Sequence, residues 1–413
     1  MLGLIGSLKG SKRGGYNIPN SLRFRSSASA YLSRTPVVAG NLTTWTWSGW
    51  VKRGVLSSNY SLFGSKTSAN SQTIQCYFNS SNNLDFRGSG TGGVVSFQLT
   101  TTQVFRDPSA WYHIVAVLDT TQATAANRVS LYVNGLQITS FSTATYCAQN
   151  DTYSTNSTNP HYNGALQGTT GVFQYTDLYL TEINFIDGQA LAPSSFGNIN
   201  ADTGVWVPKK YVGTYGTNGF YLKFDDNSAA TSAAIGKDSS GNNNDWTPNN
   251  ISLTAGATYD SMIDTPTPYA DGGNGRGNYA VLNSIDRVTT ATLAAANLET
   301  TSAAAQNIIG SMSMDSGSWY WEIAYSAATA SQLVGVYKTS ATTVSVTPTT
   351  SIIGLRFNAD TGALDYTVNG STYVSIATGL TGGGYFPYAG SLTNAKVIYA
   401  NFGQRPFAYT PPV

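Results

Sequence analysis

Histidine is the side chain best suited to act as a general base near neutral pH, and this sequence contains only two, His113 and His161. His113 lies within the strand-like stretch WYHIVAVLD, so we interpret it as structural. His161 lies in a segment rich in Asn and Thr, where it is either a solvated loop residue or a ligand contact. These two positions do not indicate a Ser–His–Asp triad for nucleophilic catalysis.

Aromatic residues occur in the same segment, CAQNDTYSTNSTNPHYNG, which combines Tyr153 and Tyr162 with many amides and hydroxyls. Sugar rings stack their apolar faces on aromatic side chains, while amides hydrogen-bond to sugar hydroxyls. Binding residues are concentrated on loops that a rigid scaffold positions. We therefore expect Tyr153, His161 and Tyr162 to form a candidate ligand-binding loop.

Asp151, Asp238 and Asp245 lie in Asn-rich, loop-like stretches, and their carboxylates are of the type that binds Ca²⁺. The Asp-Ser-Ser-Gly run at 238–241 fits an Asx-type turn equally well. We expect no cofactor, and Ca²⁺ at these three residues is the alternative.

The elements that position such residues are predicted to be strands. Only 10% of the 413 residues are charged, 41% are hydrophobic, and 26 are Tyr. Aromatic and β-branched residues favour strands, and Asp, which outnumbers Glu eighteen to three, favours turns. The net charge of +1 argues against general nucleic-acid or membrane binding. The composition predicts an all-β protein.

Charge is unevenly distributed along the chain. Residues 1–84 contain nine Lys or Arg and no Asp or Glu. The Gly-rich segment 1–20 is predicted to be a basic, extended N-terminal arm, with Lys9, Lys12 and Arg13 as candidate anchoring residues. The arm is either a solvated segment or one that docks on an acidic partner surface.

Cys76 and Cys147 are the only cysteines, which is too few for a disulfide framework, so we expect free, buried thiols rather than one bridge. The start of the sequence, MLGLIGSLKGSKRGG, does not resemble a signal peptide, because its apolar run is short and its charges follow that run. No apolar run is long enough to span a bilayer. Assembly in a cytosol fits these features.

Strand signals recur at short intervals in two series separated by a polar stretch, which is typical of sandwiches. They predict a first domain at 21–225, a linker or surface loop at 226–268, and a second domain at 269–413. Each domain contains an Asn-Gly turn between alternating apolar runs, in RVSLYVNGLQI and in GALDYTVNGSTYVSI. Both are predicted to be antiparallel hairpins with type I′ turns.

The stretches WYHIVAVLD, RVSLYVNGLQI and LYLTEINFIDGQAL resemble concanavalin A-like jelly rolls of the LamG type. GSWYWEIAY, LVGVYK, IIGLRFNADTGALDYTVNG, YFPYAG and ANFGQRPFAYTPP resemble a SPRY domain over roughly 269–412. Together with SAYLSRTP and TWTWSGWVKRG, these tandem units are similar to structural proteins of tailed phages. The resemblance implies two tandem antiparallel β-sandwiches, jelly-roll-like and SPRY-like, on a virion surface or fibre.

The same jelly-roll fold occurs in laminarinase-type glycosidases, which carry a Glu-x-Asp-x-x-Glu strand. The stretch EINFID places Glu182, Asn184 and Asp187 at those positions, so the middle carboxylate is missing and the last acid is shorter. A retaining pair needs two carboxylates about 5 Å apart. We interpret EINFID as an ordinary strand and not as an active site.

We therefore expect a non-enzymatic phage virion surface or fibre protein that adheres to the host surface through sandwich loops, with host polysaccharide as the expected ligand. Other virion proteins, held by the N-terminal arm, and further copies of the chain are the remaining expected partners. The alternatives are a capsid decoration protein and a degenerate polysaccharide-cleaving enzyme. The expected location is the virion surface, after assembly in the host cytoplasm.

Overall fold

The computed structural model describes residues 16–67, 71–167, 171–266, 275–287, 291–302, 306–326, 332–338, 342–346, 352–392 and 396–412. These residues contain no α-helix, and none of their short 3₁₀ helices could cross a membrane. Short 3₁₀ turns occur at Ser26–Ala28, Thr91–Gly93, Ala125–Asn127 and Pro193–Ser195. The expected all-β class is confirmed.

Twenty strands belong to the first half of the chain. They are β1 (Ser21–Phe24), β2 (Tyr31–Arg34), β3 (Thr44–Arg53), β4 (Tyr60–Lys66), β5 (Thr73–Phe78), β6 (Asn83–Ser89), β7 (Val95–Val104), β8 (Trp111–Asp119), β9 (Val129–Val133), β10 (Leu136–Gln137), β11 (Phe141–Thr145), β12 (His161–Asn163), β13 (Leu166–Gln167), β14 (Val172–Phe173), β15 (Leu178–Asp187), β16 (Gly197–Ile199), β17 (Trp206–Pro208), β18 (Phe220–Leu222), β19 (Thr247–Asn249) and β20 (Ser261–Met262).

Two eight-stranded antiparallel sheets form the first sandwich. Sheet I has the order β10-β9-β8-β3-β15-β1-β20, with β18 also paired to β15. Sheet II has the order β11-β7-β6-β5-β4-β12-β2-β19. Alternate residues of each strand point between the sheets, and Trp45, Trp47 and Phe63 are among the fully buried side chains of this core.

The polar segment predicted as a linker or surface loop is described over 226–266, and it is part of the first sandwich. Its strand β19 extends sheet II and its strand β20 extends sheet I. Trp246 is fully buried in the sandwich core, where its ring packs edge-on against Phe220 at 4.7 Å. The polar composition of the segment reflects its exposed positions, so composition alone does not predict this core contact.

Twelve further strands form the second sandwich. They are β21 (Leu282–Arg287), β22 (Thr292–Ala294), β23 (Glu299–Ser302), β24 (Gln306–Gly310), β25 (Ser318–Tyr325), β26 (Gln332–Lys338), β27 (Thr342–Val346), β28 (Ile352–Asn358), β29 (Ala363–Val368), β30 (Val374–Ala377), β31 (Tyr385–Ser391) and β32 (Lys396–Asn401). Sheet III has the order β21-β24-β31-β26-β27, and sheet IV has the order β22-β23-β32-β25-β28-β29-β30.

Both Asn-Gly turns have the backbone that the sequence predicts. Asn134 and Gly135 have φ of 49° and 82°, and Asn369 and Gly370 have φ of 51° and 72°. Positive φ at both central residues is what a type I′ turn requires. The first turn joins β9 to β10 directly, with Val133 opposite Leu136.

Both cysteines are free and buried, as expected. Cys76 and Cys147 belong to the core of the first sandwich. Burial raises the pKa of both thiols, so they act as small apolar side chains in this core.

The two sandwiches are joined by an apolar interface. Trp50, Trp111 and Tyr179 lie on the outer face of sheet I, yet they cluster with the core of the second sandwich. Met262 of β20 is fully buried in the same cluster. The first sandwich therefore supplies large apolar side chains to the core of the second.

A buried ion pair lies beside this interface. Lys52 Nζ donates to Asp264 Oδ2 at 2.7 Å and to Asn278 Oδ1 at 2.8 Å, and both charged side chains are inaccessible to solvent. Trp111 Nε1 donates to the other carboxylate oxygen of Asp264 at 3.0 Å. Because these donors compensate for desolvation, the charges are held inside the protein.

A turn of the second sandwich fits into the first. Ala295, Ala296 and Asn297 have consecutive φ values of 54°, 53° and 60°, the left-handed region that non-glycine residues rarely adopt. The Ala296 N–H donates to Asp177, and the Tyr179 hydroxyl donates to Ala296 O at 3.1 Å. These contacts hold the strained turn in place.

Gly54 gives the turn room to approach, because a Cβ at this position would lie 2.6 Å from Ala296 Cα. We expect Gly54→Ala to destabilise the protein by about 1–3 kcal/mol, since either the turn or β3 must move. Thermal unfolding measures the effect. Gly90→Ala is the matched control, because nothing lies within 4 Å of a Cβ there, and its φ is −78°. Equal melting temperatures for the two variants would contradict the role of Gly54.

Candidate functional site

The three residues of the predicted binding loop are all buried. Tyr153 is 3% exposed, and its ring packs edge-on against Phe97 at 5.3 Å. The Tyr153 hydroxyl lies 2.7 Å from Ser96 Oγ. A ring enclosed in this way offers no free face for a sugar, so the prediction is wrong for Tyr153.

His161 belongs to β12, a central strand of sheet II, and not to a loop. Its Nε2 accepts a hydrogen bond from Asn156 N at 2.8 Å, and its Nδ1 lies 2.7 Å from Asn159 O. Burial lowers the pKa of His161 to about 4, so the ring is neutral near neutral pH. His161 therefore orders the preceding loop instead of contacting a ligand.

The loop closes one end of the first sandwich. Asn156 Nδ2 donates to Asn41 O at 2.9 Å, and Ser65 Oγ lies 2.8 Å from Ser154 Oγ. Most of its amides and hydroxyls bond to one another and to the ends of the strands, which is why so polar a segment can be buried, although Asn156 Oδ1 has no partner among the described residues. Composition alone did not distinguish this role from a binding role.

Tyr162 lies on the other side of β12, on the outer face of sheet II. Its ring centroid is 5.9 Å from that of the half-buried Tyr31, which in turn is 5.8 Å from that of Tyr175. The Tyr162 hydroxyl donates to Gln167 at 2.6 Å. Tyr162 is only 5% exposed, so Tyr31 and Tyr175 present the aromatic surface at this edge of the face.

The outer face of sheet II carries a cross-strand row of residues that includes Tyr162. Neighbouring residues in the row are paired in register across all eight strands. In spatial order the row is Thr247, Ser33, Tyr162, Gly64, Gln75, Arg87, Gln98 and Thr145. Apart from Gly64, its residues are polar or aromatic, whereas neighbouring positions of the central strands fill the core.

A second row on the same face contains Tyr77, Asp85 and Thr100. Asp85 Oδ2 accepts hydrogen bonds from Thr100 Oγ1 at 2.7 Å and from Gln98 Nε2 at 2.9 Å. No described residue donates a hydrogen bond to Asp85 Oδ1 within 3.5 Å although this atom is buried, and the Tyr77 hydroxyl is a further donor that lies near the carboxyl. Burial raises the pKa of Asp85.

Arg87 lies beside this carboxyl and is also incompletely paired. Its guanidinium carbon lies 5.3 Å from the ring centroid of Tyr77, and its Nη2 makes a long contact of 3.5 Å with Gln75 Oε1. Its Nε is buried and has no partner in the described part of the chain. An unpartnered acceptor and an unpartnered donor therefore lie on neighbouring positions of one sheet face.

The sequence contained the signal for these residues. Polar side chains alternate with apolar ones in TIQCYF, NLDFRG and SFQLT, three strands that follow one another in the chain. Because side chains alternate across a strand, Gln75, Tyr77, Asp85, Arg87 and Gln98 had to share the face opposite the core.

The acids of EINFID lie on opposite faces of sheet I. Tyr221 donates to Glu182 Oε1 at 2.7 Å and to Oε2 at 2.8 Å on the outer face. Asp187 accepts from Asn41 N at 2.8 Å and from Asn218 N at 3.0 Å, beside the loop that closes the sandwich. The sheet keeps the two carboxyls from acting on one substrate bond.

Glu182 is nevertheless an unusual residue. It forms a β-bulge in β15 with φ of 51°, and its carboxyl is enclosed by Tyr221, whose hydroxyl also contacts that of Tyr16. Burial raises the pKa of Glu182 to about 7. Asn184, two residues later, accepts a hydrogen bond from the Tyr215 hydroxyl at 3.0 Å.

His113 has the structural role that the sequence suggested. It lies on the outer face of sheet I between the rings of Trp50 and Trp206, at centroid distances of 5.0 and 5.9 Å. Trp206 Nε1 donates to His113 Nδ1 at 3.0 Å, so Nε2 carries the proton and donates to Ser48 Oγ. Burial lowers the pKa of His113 to about 3.

The Ca²⁺ candidates do not form a cation site. Asp238 accepts hydrogen bonds from Tyr221 N, Ser240 N and Asn244 N, and Asp245 accepts one from Asp238 N. The separate Asp151 accepts from Ala148 N. Since N–H donors occupy these oxygens, the Asx-type turn explains the motif, and the described residues contain no cluster of three or more His, Cys, Asp or Glu side chains.

The candidate anchoring residues Lys9, Lys12 and Arg13 lie outside the described residues. The described end of the predicted arm packs on the first sandwich. Ile18 is fully buried, and Asn20 Nδ2 donates to Ser261 Oγ at 2.8 Å.

Residues 26–191 match the family model described as the concanavalin A-like lectin/glucanases superfamily. The first sandwich has the concanavalin A-like fold. This match confirms the resemblance to the LamG type in fold and covers most of the strands of sheets I and II. No curated protein matches this chain.

Three solved structures are similar in fold. A heptameric SAP-like pentraxin from Limulus polyphemus is 14% identical with a TM-score of 0.33, over 43% of this chain and 80% of that one. A Bacteroides ovatus protein to which carbohydrate binding is ascribed is 14% identical with a TM-score of 0.36, over 59% of this chain and 64% of that one. The SPRY domain of human HERC1 is 14% identical with a TM-score of 0.22, over 26% of this chain and 91% of that one.

The buried Glu182 carboxyl predicts a pH-dependent stability. Its pKa rises from 4.5 to about 7 on folding, so the folded protein holds a proton that the unfolded chain releases between these values. This contribution is complete below pH 4.5 and is lost as the pH rises through 7. Between pH 4.5 and pH 8, the free energy of unfolding of Glu182→Gln should therefore rise by up to roughly 3 kcal/mol relative to that of the unsubstituted protein.

Chemical denaturation across this pH range measures the difference between the two proteins. Because both keep His113, His161 and Asp177, the comparison isolates residue 182. Asp202→Asn, at an exposed turn, is the control and should show no such trend. A difference between Glu182→Gln and the unsubstituted protein that stays constant with pH would contradict the buried, protonated carboxyl.

Proposed function

We propose that this protein is a non-enzymatic, glycan-binding protein and that the outer face of sheet II is its binding surface. One observation carries the proposal: Asp85 Oδ1 and Arg87 Nε are buried at neighbouring positions of this face without partners among the described residues. Leaving a buried polar group unpaired costs about 1–3 kcal/mol. A ligand that both donates and accepts hydrogen bonds removes that cost.

Sugar hydroxyls have this dual character, since each can donate one hydrogen bond and accept others. Gln98 and Arg87 are half-buried, so rotation of these long side chains opens the Asp85 carboxyl to a ligand. At the edge of the face, Tyr31 and Tyr175 provide ring surface on which a sugar can stack. The row is accessible at Arg87, Gln98 and Thr145, whereas Gly64 and Gln75 are buried beneath Leu166 and Gln174, so this end would hold a short stretch of a sugar chain.

The arrangement of acids supports binding over hydrolysis. Glycoside hydrolysis needs two carboxyls on either side of one bond, about 5 to 9.5 Å apart. Glu182 and Asp187 face opposite sides of sheet I, and Asn184 replaces the acid between them. A polysaccharide bound to sheet II would meet Asp85 without a second carboxyl on the same row.

We further propose that the protein acts on the surface of a tailed-phage virion, where it attaches to host polysaccharide and to other virion proteins. The support is the similarity of the tandem units to phage structural proteins, together with the basic composition of residues 1–20.

Asp85→Asn and Arg87→Met should each weaken glycan binding at least tenfold. The first replaces a carboxylate by an amide, and the second removes the donor but keeps the aliphatic chain. A hydrogen bond to a charged group contributes about 1.5–3 kcal/mol, which corresponds to a factor of about 10 or more. An array of bacterial polysaccharides and oligosaccharides, probed with the full chain, identifies a ligand for titration calorimetry.

Asp202→Asn is the matched control, because the residue is exposed and remote from sheet II. Absence of binding to every glycan would contradict the proposed function. Binding that survives both substitutions would exclude this face as the site. Release of new reducing ends from a bound polysaccharide would show an enzyme instead of a binding protein.

An antibody raised against residues 269–413 should label intact phage particles in electron micrographs. Label on the tail or fibre tips supports adhesion to the host. Label spread over the head would favour capsid decoration instead, and unlabelled particles would contradict the virion location.

A further inference from the structure

The second sandwich contains a polar pocket of about 270 Å³ on the outer face of sheet IV, at one end of β25, β28 and β29. Its lining includes Ser318, Trp319, Arg356, Asn358, Thr361 and Asp365. This volume is below the usual range for drug-sized ligands. It suits one ring-sized group.

Arg356 is fixed at this pocket by two neighbours. Its Nε donates to Asp365 Oδ2 at 2.7 Å, and its guanidinium carbon lies 4.2 Å from the ring centroid of Tyr373. The side chain is still 41% exposed. Within the described residues its two Nη groups have no hydrogen-bond partner, so a preorganised set of donors faces the solvent.

Trp319 and Asn358 are also fixed. The indole packs against the core of the second sandwich, and its Nε1 donates to Ser316 O at 2.8 Å. Asn358 Oδ1 accepts from Thr361 N at 2.9 Å and from Asp360 N at 3.0 Å. The Trp319 ring thus points to the core side of β25, and the contacts of Asn358 hold the polar rim in place before any ligand arrives.

The neighbouring part of the same face is covered by the chain itself. Glu322 accepts hydrogen bonds from Ala408 N at 2.8 Å and Tyr409 N at 2.9 Å, and Phe407 packs edge-on against Tyr320 at 4.8 Å. Segment 405–409 therefore occupies one end of the face and leaves the Arg356 end open.

We propose that this pocket is a second sugar-binding site, which takes a single neutral monosaccharide unit. The ion pair offers a donor and an acceptor to adjacent hydroxyls, and Ser318, Asn358 and Thr361 add polar groups at the rim. Asp365 balances the charge of Arg356, so a neutral ligand is favoured over a phosphate or a carboxylate. A site in each sandwich would make the chain bivalent, and linked sites can raise avidity about 10²–10⁴-fold.

Saturation-transfer difference NMR on the full chain tests the second site independently of the first. The probes are free glucose, galactose, mannose and N-acetylglucosamine, with inorganic phosphate and an acidic peptide as competing classes. The Asp85→Asn background weakens the proposed first site at least tenfold. In it we expect at least one monosaccharide to give a signal, and Arg356→Met to weaken its binding at least tenfold.

Lys338→Met is the matched control, because Lys338 is a cation 4.8 Å from the ring centroid of Tyr385 on the other sheet of the same sandwich. It should leave the signal unchanged. Thr361→Val, at an exposed position, is a milder second variant and should also weaken binding. Absence of any monosaccharide signal in the Asp85→Asn background would overturn the proposal, as would binding that survives Arg356→Met. Preference for phosphate or the peptide would overturn the assigned ligand class.

Discussion

The outer face of sheet I must be kept from water, and the rest of the structure depends on that constraint. Trp50, Trp111 and Tyr179 project from this face, where exposure of such large rings would be costly. The second sandwich covers one end, and Phe196 with its neighbours covers Val115, Val117 and Ile186 at the other. Both ends of sheet I are therefore occupied, whereas the outer face of sheet II is covered only in part: Leu166 and Gln174 lie on Gly64 and Gln75, and Arg87 and Gln98 remain half-buried.

The same packing explains why the two sandwiches contact each other through strained and charged groups. The left-handed turn at 295–297 is held by Asp177 and Tyr179, and the Lys52–Asp264 pair lies within the same contact region. Removing one partner of a buried ion pair is strongly destabilising, which ties the orientation of the sandwiches to a few specific contacts. Two sugar sites on such a body would keep a fixed spacing, and that is the condition under which bivalent binding gains most.

Glu182 illustrates how a fold can keep the position of a catalytic group without its chemistry. The β-bulge turns its carboxyl onto the outer face of sheet I, but Tyr221 and Tyr16 enclose it, and Asp187 points to the other side. Its raised pKa is a consequence of burial, and a perturbed pKa identifies an active site only where a substrate can reach it. Buried atoms without partners also occur in the core, at Trp45 Nε1 and Trp246 Nε1, whereas those of Asp85 and Arg87 lie beneath the half-buried Arg87 and Gln98 side chains, and there we propose a ligand.

The sequence by itself determined the all-β class, the two sandwiches, both Asn-Gly turns and the free, buried cysteines. Each of these follows from local rules: side-chain alternation, positive φ at Asn-Gly, and the burial of small apolar groups. It did not place Tyr153, His161 and Trp246 in buried positions, because polar composition describes a loop equally well when it closes a core and when it faces solvent. Alternation along β6 places Asp85 and Arg87 on the face opposite the core, but only the register of β5, β6 and β7 determines which neighbours they meet. Tertiary structure decided which parts of the sheet faces were covered, because the segments that cover them are distant in the chain.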